Sequence, residues 1–129
     1  MISHGEFSVV LTGSIIESKL AGSFNELGCS GYINAVKDKL NILAGKPFAM
    51  LIDDLELEGG TPEAYQLLNE YNQWMSKQPI VAKAFIINSQ VQKDIILQRS
   101  PSLLQQNIEF FTDREHAMLW LTGEIASIS

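Results

Sequence analysis

Cysteine is all but missing from this chain: Cys29 is the only one in 129 residues. No disulfide can form within it, so the fold must rest on its core, and a reduced, cytoplasmic setting fits best. Positive charge is also scarce. Nine Lys and Arg face fifteen Asp and Glu, for a formal charge of -6. The bases are scattered, with no basic stripe and no interleaved aromatics, which argues against nucleic acid as a partner and against an anionic membrane surface. Long apolar runs are absent too. AMLI and AFII fall far short of the ~20 residues of a membrane span, so no membrane insertion is expected. The opening MISHGEFSVVLTG lacks a basic region and a long apolar run, and reads as no signal peptide.

The familiar strings of catalysis are likewise missing: there is no GxSxG, no Walker-type loop and no GxGxxG. His4 lies near one terminus and His116 in the first turn of the last helix, while Cys29 falls on an apolar helical face as a small core residue. No Cys-His or Ser-His-Asp arrangement follows from these positions, so no catalytic residue and no cofactor is assigned and the chain reads as a non-enzyme.

What is present is core material. Hydrophobic residues make up 46% of the sequence, enough for a single domain over residues 1–129 that buries roughly two-thirds of its unfolded surface. FSVVLTG (7–13) and IIESKLAGSF (15–24) are β-like runs joined at Gly13-Ser14, a hairpin pattern. From Asn25 the period changes: Cys29, Ile33, Val36, Leu40 and Leu43 mark one helix face, with Asn25 or Ser30 as its cap and Gly45 and Pro47 at its end. PFAMLIDD is a strong third strand, apolar on both faces as in a parallel sheet.

Thr61 then caps a second helix, with Pro62 at its first position and Glu63 in its first turn. Ala64, Leu67, Leu68, Tyr71, Trp74 and Met75 form its apolar stripe. VAKAFIIN is a fourth strand, and QVQKDIILQRS a shorter helix stopped at Ser100-Pro101. NIEFFTD is a fifth strand, and Asp113 caps a last helix, REHAMLWLTGEI, with Ala117, Trp120 and Leu121 inward. The order β-β-α-β-α-β-α-β-α predicts an α/β fold, a five-stranded, mostly parallel mixed sheet with about four helices.

This order resembles the SpoIIAA-like family, grouped with STAS (anti-sigma-factor antagonist) and CRAL-TRIO lipid-binding domains. The likeness rests on LAGSFN (20–25), KPFAMLIDD (46–54), TPEAYQLLNEYNQW (61–74), AKAFIINS (82–89) and EFFTDREHAMLWL (109–121), and covers nearly the whole chain. STAS domains carry a phosphorylatable serine in an Asp-Ser-Ser-type loop between the third strand and second helix. Here that segment is DDLELEGGTPE (53–63). It has no such string, and its only hydroxyl is Thr61, which becomes the candidate phospho-acceptor.

Local structure explains most of this segment. Asp53 and Asp54 end a strand, Gly59-Gly60 permits a turn, and Thr61-Pro62-Glu63 opens a helix. A functional overlay remains open, because ligands of open α/β sheets bind beyond the carboxyl ends of the strands. Asp53, Asp54, Glu56, Glu58, Gly59, Gly60, Thr61 and Glu63 are therefore the candidate interaction loop. DDLELEG lacks the spacing of a calcium loop, so no metal is assigned.

Tyr65, Tyr71, Trp74 and Phe85 are the candidate lining of an apolar pocket, which the CRAL-TRIO likeness makes relevant. The expectation is a non-catalytic binding or regulatory module of STAS type, with a carrier or sensor of a small hydrophobic, lipid-like ligand as the alternative. Its partner is an unknown protein or that ligand. Domains of this size often pair through sheet edges or helix faces, which leaves a homodimer open.

Overall fold

A computed structural model describes residues 1–128. β1 (Glu6–Thr12) and β2 (Ile15–Phe24) pair antiparallel around Gly13-Ser14. α1 (Glu26–Leu43), β3 (Phe48–Gly60), α2 (Pro62–Met75), β4 (Ile80–Ile86), α3 (Gln90–Arg99), β5 (Ile108–Phe111) and α4 (Arg114–Ala126) follow, with a short 3-10 turn at Pro101–Gln105. β2 to β5 are parallel, and the five strands lie side by side in chain order. Successive right-handed crossovers that advance in one direction put their helices on one face. Accordingly α1, α2 and part of α3 pack on one side of the sheet. α4, which crosses to no further strand, folds back onto the other.

The caps are local. Asn25, not Ser30, starts α1, its Oδ1 accepting from the Gly28 N–H at 2.9 Å. The same Oδ1 accepts from the His4 N–H, tying the N-terminal segment across the helix start. Gly28 is needed there, since a Cβ would run into the carbonyl oxygen of His4. Thr61 caps α2 through the Ala64 N–H at 3.1 Å, and Asp113 caps α4 through the His116 N–H at 2.9 Å.

One expectation is corrected. Residues 53–60 are not a loop: β3 continues for thirteen residues to Gly60. Ala21 pairs with Glu56, Gly22 with Leu57, Ser23 with Gly59 and Phe24 with Gly60, through two irregularities in register. The acids and glycines read as turn chemistry, but Asp54-Leu55-Glu56-Leu57-Glu58 also alternates with a period of two, and the long β2 offers a partner to the end. β4 pairs with β3 only as far as Asp53. Beyond that point one edge of β3 has no strand neighbour, and α3 approaches it: Gln92 Nε2 donates to the Asp54 carbonyl at 2.6 Å.

The core is split by the sheet. Phe48, Met50 and Ile52 of β3 face α1 and α2 with Ile16, Tyr32, Val36, Tyr71, Met75 and Phe85. Ala49 and Leu51 face α4 with Ala82, Ala84, Ile86, Ala117 and Leu121.

Candidate functional site

Strand alternation decides where the two neighbouring acids go. Phe48, Met50 and Ile52 point to the α1–α2 side, and Asp54 follows them. It is buried at 3% exposure. Asp53 falls on the opposite face, half-buried, and its Oδ1 accepts from the Leu55 N–H at 3.0 Å. Sequence reasoning placed both at the end of a strand and in one interaction loop; the alternation through Phe48, Met50 and Ile52 carries Asp54 into the core.

Asp54 lies in the wall of a cavity of about 120 Å³ between α2, α3 and the sheet. Leu20, Tyr32, Ile52, Tyr71, Phe85 and Leu103 make its apolar lining, and Tyr65, Leu68, Ile95 and Ile96 its outer part. Glu58, Gly59, Tyr65, Ile95 and Arg99 border both this cavity and an open groove outside it, so they form the mouth. There the Arg99 guanidinium lies over the Tyr65 ring, 4.9 Å from its centre. Gly59, at φ 141°, occupies backbone space that side chains rarely adopt, and a Cβ there would meet the Tyr65 hydroxyl.

Of the residues singled out for a pocket, Tyr65, Tyr71 and Phe85 line this cavity. Trp74 does not: it sits farther along α2, stacked on Tyr71 and under the Lys37 ammonium. Of the acidic segment, Asp54, Glu58 and Gly59 reach the cavity. Glu56 pairs with Lys19 at 2.6 Å on the surface, where such a pair adds little. Gly60 and Thr61 border the outer groove, and Glu63 is exposed in the first turn of α2. Gln92, Arg99 and Ser100 were not anticipated. They come from α3 and its end, whose polar sequence shows no clear apolar stripe.

Electrostatics set the cavity apart from an ordinary core. Burial, reinforced by Asp53, pushes the Asp54 carboxyl up to about 8. Tyr32 is shifted upward by burial, partly offset by its 2.9 Å hydrogen bond with Ser18. Behind the wall Lys83 is fully buried, donates to Asn72 Oδ1 at 3.0 Å, and is pulled down to about 7 by burial. Cys29 is buried with its thiol turned to the Ala64 carbonyl, and burial raises the thiol to about 11, which leaves it unreactive.

Among the described residues, no group of three or more His, Cys, Asp and Glu is placed to hold a metal ion. No helix there is long and apolar enough to cross a membrane.

Known proteins give one kind of match. No family model matches the chain, and no curated protein matches it. Among solved structures it is similar to an uncharacterized protein from the DUF3478 family, with a SpoIIAA-like fold, from Shewanella loihica PV-4. That match covers 94% of this chain and 96% of the other, at a TM-score of 0.67 and 16% identity. This chain has the SpoIIAA-like fold. At that identity the likeness carries the architecture alone, and the function has to be argued from the site. In this SpoIIAA-like chain the cavity lies at the carboxyl end of β4, beside the part of β3 that runs on past it.

Proposed function

We propose that this chain is a non-catalytic binding module that holds a small hydrophobic molecule in the cavity beneath α2. One observation carries the reading: a mostly apolar, partly open cavity between α2, α3 and the sheet, with a single buried carboxyl in its wall. Ligand sites have this character, apolar walls with few polar groups. The volume also limits the ligand. A cavity of ~150 Å³ accepts one benzene ring, so about 120 Å³ suits a ring-sized molecule and not an acyl chain.

The finer reading, a regulatory module of STAS type, joins this one through geometry. Glu58 and Gly59 border the cavity and also the groove next to Thr61. A ligand that shifts this stretch of β3 changes the surface offered to a protein partner, which makes the module a sensor. The Thr61 hydroxyl is exposed but engaged as the cap of α2. Phosphorylation there gives up that cap and adds charge close to Glu58 and Glu63.

Native mass spectrometry of protein purified from its own host, compared with the same sample denatured, tests both. A small added mass present natively and lost on denaturation is the expected result. A bare chain in both samples counts against a bound ligand, and a covalent phosphate mapped to Thr61 supports a switch instead.

A further inference from the structure

Among the described residues, three buried side-chain polar atoms have no hydrogen-bond partner: Asp54 Oδ1, Ser100 Oγ and Gln106 Oε1. Two of them, on Asp54 and Ser100, belong to residues that line the same cavity. Both residues are nine-tenths or more buried, at 3% and 2% exposure. Ordinary structural duties do not account for either. Ser100 precedes the Pro101–Gln105 turn, yet its side chain makes no capping bond there. Its backbone N–H closes the end of α3 on the Ile96 carbonyl without the hydroxyl. The Asp54 backbone carbonyl is satisfied by Gln92, whereas Oδ1 of its carboxyl is buried and unpaired. Buried polar groups are normally paired, because leaving one unmade forfeits its hydration for nothing in return.

We infer that Asp54 and Ser100 are the recognition groups of the cavity, and that its ligand is a ring-sized, uncharged molecule bearing a hydroxyl, of the phenol class. This rests on the binding reading above and narrows it to a chemical class.

Charge excludes the alternatives. Among the described residues no cation pairs with Asp54. Lys83 is committed to Asn72 and lies outside the lining, and Arg99 sits at the mouth on Tyr65. A carboxylate ligand would meet Asp54 and Glu58 with only Arg99 to offset them. An ammonium ligand would need Asp54 ionised in an apolar wall, where a buried pair scarcely repays its lost hydration. Burial holds the Asp54 carboxyl protonated at neutral pH. In that form it both donates and accepts, as does the Ser100 hydroxyl. A ligand hydroxyl can therefore pair with either group, while its ring fills the space among Tyr32, Tyr71 and Phe85.

The test is an NMR titration of the full chain with phenol, toluene, benzylamine and benzoate, with shifts followed at cavity residues. The expected result is phenol bound at least about tenfold more tightly than toluene, the size of one buried hydrogen bond gained without a new orphan. That preference falls toward unity in Ser100→Ala, which keeps the backbone closure of α3, or in Asp54→Leu. Equal affinity for phenol and toluene overturns the inference and leaves the binding reading intact. Tighter binding of benzylamine or benzoate overturns it as well. No binding of any of the four at the cavity overturns both.

Discussion

The two faces of the sheet are built from different materials. On the α4 side the strands present Ala49, Ala82 and Ala84 beside Leu51 and Ile86, and α4 answers with Ala117 and Leu121, all buried. Small side chains let the helix come close, and polar contacts such as Arg114 to Glu17 lie only at the margin of this apolar interface. On the other side the strands present Phe48, Met50, Ile52 and Phe85, and the helices answer with Tyr32, Tyr71 and Met75. Large rings of fixed shape pack with gaps unless every neighbour fits them. Here the gap remains, at the end of the sheet where β4 has stopped and α2 and α3 cover it. The same chain thus shows a face selected for closure and a face that holds space, with its polar groups on the second.

Substitutions can break that comparison. Leu121→Ala, on the closed face, should cost about 2–5 kcal/mol, because the surroundings have little freedom to collapse; chemical denaturation measures it. A loss under ~1 kcal/mol would mean the α4 face is loosely packed.

Asp54 supplies the second test, in pH. An acid whose native pKa lies above its unfolded value holds its proton longer in the folded chain. Between 3.8 and about 8 the native state therefore binds more protons at Asp54, and its contribution to stability falls as pH rises through that window. Asp54→Asn should abolish this fall and stabilise the protein by a few kcal/mol at pH 9, where the wild-type acid is ionised in an apolar wall. Lys83 acts with the opposite sign: with its pKa lowered from 10.5 to about 7, stability rises with pH between those values. The difference between wild type and variant across pH separates the two, and a difference independent of pH contradicts the burial of Asp54.

Overpacking sharpens the contrast. Ala84→Leu should cost about 1–3 kcal/mol on the closed face. Ile96→Phe, which adds volume at the cavity, should cost less than about 1 kcal/mol or stabilise. Equal costs would remove the distinction between the faces. The smallest effect is expected at Thr61→Ala, about 1 kcal/mol from the lost cap, with no change in cavity binding.

Where local chemistry decides, the sequence was readable. The Thr61 and Asp113 caps, the strand alternation and the strand–helix order each depend on neighbours within a few residues. The start of α1 had two readings because both Asn25 and Ser30 can cap, and the bond to Gly28 decides it. The extension of β3 to Gly60 was missed because pairing with β2 is a long-range fact that overrides glycine and acid content. The cavity was half legible. Tyr71 belongs to the apolar stripe of α2, but Trp74 lies on the same stripe and misses the cavity by its place along the helix. Ser100 and Arg99 reach it only because α3 crosses the open edge of β3, which no local pattern announces.

The most direct measurement is a crystal structure of the chain soaked in phenol. The account predicts one ring between α2 and the sheet, its hydroxyl within about 3 Å of the Asp54 carboxyl or the Ser100 hydroxyl. A cavity filled by waters that pair Asp54 and Ser100, with phenol elsewhere or absent, would contradict it.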